Sequence, residues 1–255
     1  MPGHTNENSN IMILRRVIKH FREQEWTAIF LDFIIVVVGV FVGLQVNNWS
    51  GQQAENRLEQ QYLERLYVDM NGSLQDYGRN NGWDERTIAS QAIVLKALRS
   101  GTLDESEREA FALGLVFVGS LNPIRRRWGT VEELKSTGNI AILRDLEIRN
   151  MIAAIDADYE RSSNIIAVAA SQVTQIRTVL MQAFSPLEYG FQMNDPIGVN
   201  YDFEALAADQ RFINLFANVQ FKSELMLDFN DGHMRQIEQL RDKLAEILEI
   251  EVATQ

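Results

Sequence analysis

The chain has no cysteine, only four prolines and only three histidines among 255 residues. The missing cysteines exclude disulfides, thiolate metal sites and cysteine nucleophiles, and they leave the redox compartment unassigned. With so few prolines, and only 15 glycines, long uninterrupted helices are favoured over a turn-rich β fold. Two of the histidines, His4 and His20, belong to a short N-terminal leader, so His233 alone is left for chemistry elsewhere. There is no Gly-x-Ser-x-Gly, no His-Glu-x-x-His and no phosphate-binding glycine loop. Positive charge is also scarce: the net charge is −11, and nucleic-acid binding, which needs a basic face, is disfavoured.

Apolar residues make up 46% of the chain, enough for a sizeable core. One run stands apart, Trp26 to Trp49, WTAIFLDFIIVVVGVFVGLQVNNW. Its central part, Ala28 to Val46, would span about 28 Å at about 1.5 Å per residue, close to the hydrocarbon thickness of a bilayer. Trp26 and Trp49 stand at its ends as membrane-interface anchors. A cleaved signal peptide has a shorter apolar region and a small-x-small exit, which Gln45–Val46–Asn47–Asn48–Trp49 does not offer. A buried helix of a soluble protein does not account for the flanking tryptophans and the basic leader.

Residues 1–25 carry Arg15, Arg16, Lys19 and Arg22, with Ile11, Leu14, Ile18 and Phe21 near helical spacing. These features predict a short amphipathic helix on the inner leaflet and a cytoplasmic N-terminus. The expected organisation is a leader over 1–25, a transmembrane helix over 26–49 and an extracytoplasmic helical domain over 50–255. The expected place is a bacterial inner membrane, crossed once, with the large domain periplasmic. Inside the span, Asp32, Gly39 and Gly43 fall within about 20° of one line at 100° per residue. Small residues four apart let helices approach closely, and a polar residue on that face can bond across. The alternative for Asp32 is a carboxylate reaching the headgroups.

The segment Asp32 to Trp49, DFIIVVVGVFVGLQVNNW, together with Glu133–Leu134–Lys135–Ser136–Thr137–Gly138–Asn139, Leu143 and Arg149, resembles a bacterial domain-of-unknown-function family. Its members are uncharacterised single-span membrane proteins with an N-terminal helix ending in Leu-Gln-x-Asn-Asn-Trp. Asp32 stands where that family more often has glutamate, and Gly43 where alanine is common. The resemblance implies the topology and brings no activity, cofactor or site.

Beyond the span, Leu63, Leu66, Met70 and Tyr77 keep a helical stripe, which Ile88, Ala92, Leu95 and Leu98 extend or resume as far as Ser100–Gly101. A second helix is expected over Ser106 to Val118. Two later segments alternate steps of four and three throughout, from Ile148 to Leu180 and from Phe212 to Ile247. That spacing is the seam of a coiled coil or long bundle. The fold class is therefore all-α: one transmembrane helix continuing into an elongated antiparallel bundle of three to four main helices. Thr130 to Glu133 reads as a capping box opening a short helix that Gly138–Asn139 closes. Asn230–Asp231–Gly232 either breaks or bends the last helix. A calcium loop there would lack its ligands at Leu227 and Phe229.

Arg125, Arg126, Arg127 and Trp128 form a basic cluster in an acidic domain. It either captures an anion or a partner, or pairs with the domain's own acids. His233 and Asn230 lie on the last seam as a register-setting polar layer or a ligand. The connector from Ser185 to Gln210, with Tyr189, Phe191, Tyr201 and Phe203, is either a binding site or a cap on the bundle end. No catalytic residue, metal site or cofactor is expected. The partners expected are the lipid bilayer and a second copy or a partner membrane protein, and the function expected is non-enzymatic interaction or assembly. The alternatives are a sensor acting through a partner helix and an enzyme built on carboxylates alone.

Overall fold

The computed structural model describes residues 26–120, 126–186 and 198–250. The chain separates into two compact units, Met1–Leu58 and Glu59–Gln255. The leader with His4 and His20, the side chain of Trp26, Arg125, Tyr189 and Phe191 lie outside the described residues.

Helix α1, Trp26–Ser100, is unbroken. No proline falls within it, so the backbone ladder is never interrupted by a missing donor. In the first unit its residues from Ile29 to Gln52 are exposed, including Phe33, Val36, Phe41, Val46 and Trp49. This part is long and apolar enough to cross a membrane.

The second unit is a bundle. Gly101, at φ 69°, ends α1, and the Thr102 amide reaches back to the Ala97 carbonyl at 3.2 Å, closing orphan carbonyls as a left-handed glycine allows. A 3-10 turn, Glu105–Glu107, leads into α2, Arg108–Val116, so the helix expected from Ser106 to Val118 divides into two pieces. Next come α3, Gly129–Ser136, and a 3-10 turn, Asn139–Ile142. Helices α4, Leu146–Leu180, and α6, Gln210–Leu248, pack on each other. Asp145 and Asp209 cap their first turns through two backbone amides each. Between them lie an antiparallel pair, β1 (Phe184–Pro186) and β2 (Val199–Tyr201), the only strands among the described elements, and a short α5, Phe203–Ala208.

Two apolar cores fix the directions. The first joins Leu63, Leu66 and Met70 of α1 to Val131 of α3, Ile152 of α4 and Leu240 of α6. The second joins Val94 and Leu98 of α1 to Phe111 of α2, Val173 of α4 and Phe216 of α6. Thus α1 and α4 run from first core to second, and α6 runs back. Helices α2 and α3, one at each core, form a second, broken column running back as well. The antiparallel bundle of three to four helices is as expected, with its second column interrupted. Burying each large side chain of these cores favours folding by about 1.5–3 kcal/mol.

The seams read from the sequence are the buried faces. Ile148, Ile152, Ile155, Ser162, Ala169, Val173 and Leu180 are buried on α4. On α6 the buried seam runs from Phe212 to Leu244, with Ile247 exposed. Helix α6 continues through Asn230–Asp231–Gly232, which rules out a break there and a calcium loop with it.

The capping box does not form. Helix α3 begins at Gly129, so Thr130 lies inside it, buried. Asp69 of α1 takes the Thr130 amide at 3.1 Å instead. Glu133 turns outward to Tyr62, which donates at 2.9 Å, and to Arg65 at 2.5 Å. Gly138, at φ 72°, does close the helix.

Candidate functional site: a polar waist between the two cores

Between the cores the described residues of the second column, 117–120 and 126–128, hold no helix. Many of the buried residues there are polar: Ser73, Thr87 and Gln91 on α1, Ser162 on α4, and Ser223, Asn230 and His233 on α6, beside the apolar Ala169 and Met226. Serines bond back to their own helices, Ser162 to the Asp158 carbonyl at 2.7 Å and Ser223 to the Val219 carbonyl at 3.1 Å. Tyr77 donates to Asp231 across the waist. Burial, with Asp231 beside it, pushes the Tyr77 phenol well above its ordinary value.

The basic cluster enters this waist. The Arg126 guanidinium lies between two rings, 3.9 Å from the Tyr159 centroid and 4.2 Å from that of Trp128. It donates to Asp156 at 2.9 Å. The same carboxylate accepts from Trp128 Nε1 at 2.7 Å and from Lys135 at 2.8 Å. Burial works to raise the Asp156 pKa, but Lys135 and Arg126 prevail and hold it below the usual carboxylate value. Arg127 forks onto Asp76 at 3.0 and 3.2 Å, and its amide donates to Ser73 Oγ at 2.7 Å. Arg126, Arg127 and Trp128 are therefore engaged by the domain's own acids and rings. An external anion would have to displace Asp156 from a guanidinium that is only 11% exposed. Of the readings open for this cluster, pairing with the domain's own acids is the one these contacts match for Arg126 and Arg127.

His233 is the least satisfied group of the waist. It is 4% exposed, stacks obliquely on Tyr159 at 5.2 Å between centroids, and neither ring nitrogen has a hydrogen-bond partner among the described residues. Burial, then the nearby Arg126, lower its pKa to about 4 against the pull of Asp158 and Asp156. It is a neutral imidazole at physiological pH, one nitrogen a donor and the other an acceptor. Beside it a pocket of about 300 Å³ opens between α4 and α6, lined in part by Asp158, Ser162, Phe229, Gly232, His233 and Gln236.

The remaining sequence candidates are placed as follows. Asp32, Gly39 and Gly43 are exposed on α1, and a Cβ at either glycine would meet nothing within 4 Å. Trp49 is 65% exposed. Tyr201 and Phe203 pack on Phe111, at 5.1 and 5.8 Å between centroids, and so cap the second core. No group of three or more His, Asp or Glu that could hold a metal ion occurs among the described residues. The role of Asp156 is absent from the sequence reading, because it sits off the α4 seam and its three donors come from elsewhere in the chain.

Comparison with known proteins finds no match among family models, curated proteins or solved structures.

Proposed function

We infer that this chain is a single-pass inner-membrane protein, N-terminus in the cytoplasm, whose extracytoplasmic bundle serves interaction or assembly rather than catalysis. The observation that carries the reading is the character of α1: one helix bears a lipid-length apolar stretch and, further along, the stripe that enters both apolar cores. The basic residues of the leader favour this orientation by the positive-inside rule. The resemblance to single-span bacterial proteins of unknown function supports the same topology. The Asp32–Gly39–Gly43 face suits pairing with a second copy or a partner helix. On the bundle, Val168 of α4 and Phe221 of α6 are 60% and 62% exposed, apolar surface suited to a protein partner.

The absence of native cysteine makes the test direct. Single Ser9→Cys and Ser106→Cys variants of the full chain, treated with a membrane-impermeant maleimide in spheroplasts, should label only at position 106. Labelling at position 9 alone would reverse the topology. Crosslinking within the membrane should capture a dimer or a partner complex, and Gly39→Leu with Gly43→Leu should abolish it. Pairing that survives the double variant would remove the glycine face from the account.

A further inference from the structure

We propose that the pocket beside His233 is a binding site for a small zwitterion of the amino-acid class, carrying one carboxylate and one ammonium group.

The floor of the pocket consists of uncharged polar groups that want partners. His233 is buried and offers a donor and an acceptor, neither of which is used by the described residues. Gln236 donates to Asp158 at 2.5 Å, and its carbonyl oxygen is buried and unpaired. Buried polar atoms are costly unless they are bonded, so a molecule seated here gains by supplying those bonds.

The rim carries both signs of charge. Arg161 pairs with Asp158. Arg235 and Asp228, on α6 seven residues apart and hence on one face, both line the pocket and have no ion pair among the described residues. A net anion would leave Asp228 facing like charge, and a net cation would do the same to Arg235. A molecule with its carboxylate at Arg235 and its ammonium at Asp228 satisfies both. Phe229 and Ile165 provide apolar wall for a side chain. A volume of about 300 Å³ suits a metabolite rather than a peptide.

Gly232 keeps the mouth open. Glycine within a helix is unfavourable, yet it stands mid-helix in α6. A Cβ there would approach only the Arg235 guanidinium, at 3.8 Å. The position therefore has room for a side chain, and a side chain would grow into the pocket.

The test is calorimetric titration of the full chain in detergent with each common α-amino acid, alongside N-acetylated and C-amidated forms, succinate and putrescine. At least one free amino acid should bind saturably. Its acetylated and amidated forms, and the Arg235→Gln and Asp228→Asn variants, should each weaken binding at least about tenfold, the scale of one lost charge-assisted bond. Gly232→Leu should abolish binding while far-UV circular dichroism and melting stay intact. Both rim variants alter exposed residues without ion-pair partners, so they test the site even if the leucine disturbs the helix. Failure of every amino acid to bind, equal binding by blocked forms, preference for succinate or putrescine, or undiminished binding by a folded Gly232→Leu protein would each overturn the proposal.

Discussion

Replacing His233 should change how stability depends on pH more than it changes stability itself. In the unfolded chain the imidazole titrates near 6.5, and in the folded protein near 4, because burial and Arg126 disfavour the cation. Between these values the unfolded state binds a proton that the folded state refuses. Stability therefore falls as pH drops from about 6.5 toward about 4, and is fully restored above the unfolded value. At about 1.36 kcal/mol for each pH unit of separation, the loss attributable to this one group is roughly 3 kcal/mol. Asp156, Asp76 and Glu133, held below ordinary carboxylate values, begin to lose their contributions near their unfolded values of about 4, so the upper part of the window reports His233. Urea unfolding of the full chain in detergent, followed by circular dichroism from neutral to acid pH, gives the wild-type slope. His233→Gln should flatten it across that window. The same slope in both proteins, or an imidazole resonance titrating near its ordinary value, would refute the assignment.

Asp156→Ala should cost about 3 kcal/mol, since it strands a buried guanidinium, and adding Arg126→Met should recover much of the loss; chemical denaturation of the single and double variants decides. Phe216→Ala, at a fully buried position, should cost about 3–5 kcal/mol, whereas Phe221→Ala, at an exposed one, should stay within about 0.5 kcal/mol. Gly138→Ala forces a Cβ into a left-handed residue and should destabilise by about 1–2 kcal/mol. Gly232→Ala, in an ordinary helical position with room, should stabilise by about 0.5–1 kcal/mol, as thermal melting will register.

What could be read in the sequence was whatever repeats locally. Ile148 to Leu180 and Phe212 to Leu244 are legible because side-chain burial follows helical phase, and the polar seam positions Ser162, Ser223, Asn230 and His233 are legible for the same reason. The long apolar stretch of α1 is legible because so few residue types make it up. What was hidden depends on neighbours distant in the chain. Asp69 rather than Thr130 serves the opening of α3, because α1 brings a carboxylate to that amide. Arg126 lies between Trp128 and Tyr159, and only one of those rings is near it in sequence. The second column offers no seam to read, since α2 and α3 are separate helices of only 9 and 8 residues, too short for a sustained repeat.

The first apolar core also sets an order of events during synthesis. Tyr62 and Leu63 lie early in the bundle and Leu240 and Leu244 near its end, yet they share one cluster. That cluster cannot close until the chain through Leu244 has left the ribosome. Loop closure over such separations is slow. The early stripe of α1 must therefore wait, apolar and uncovered, and a C-terminal truncation removing Ile237 to Leu244 would leave it permanently open to aggregation or to capture by a chaperone.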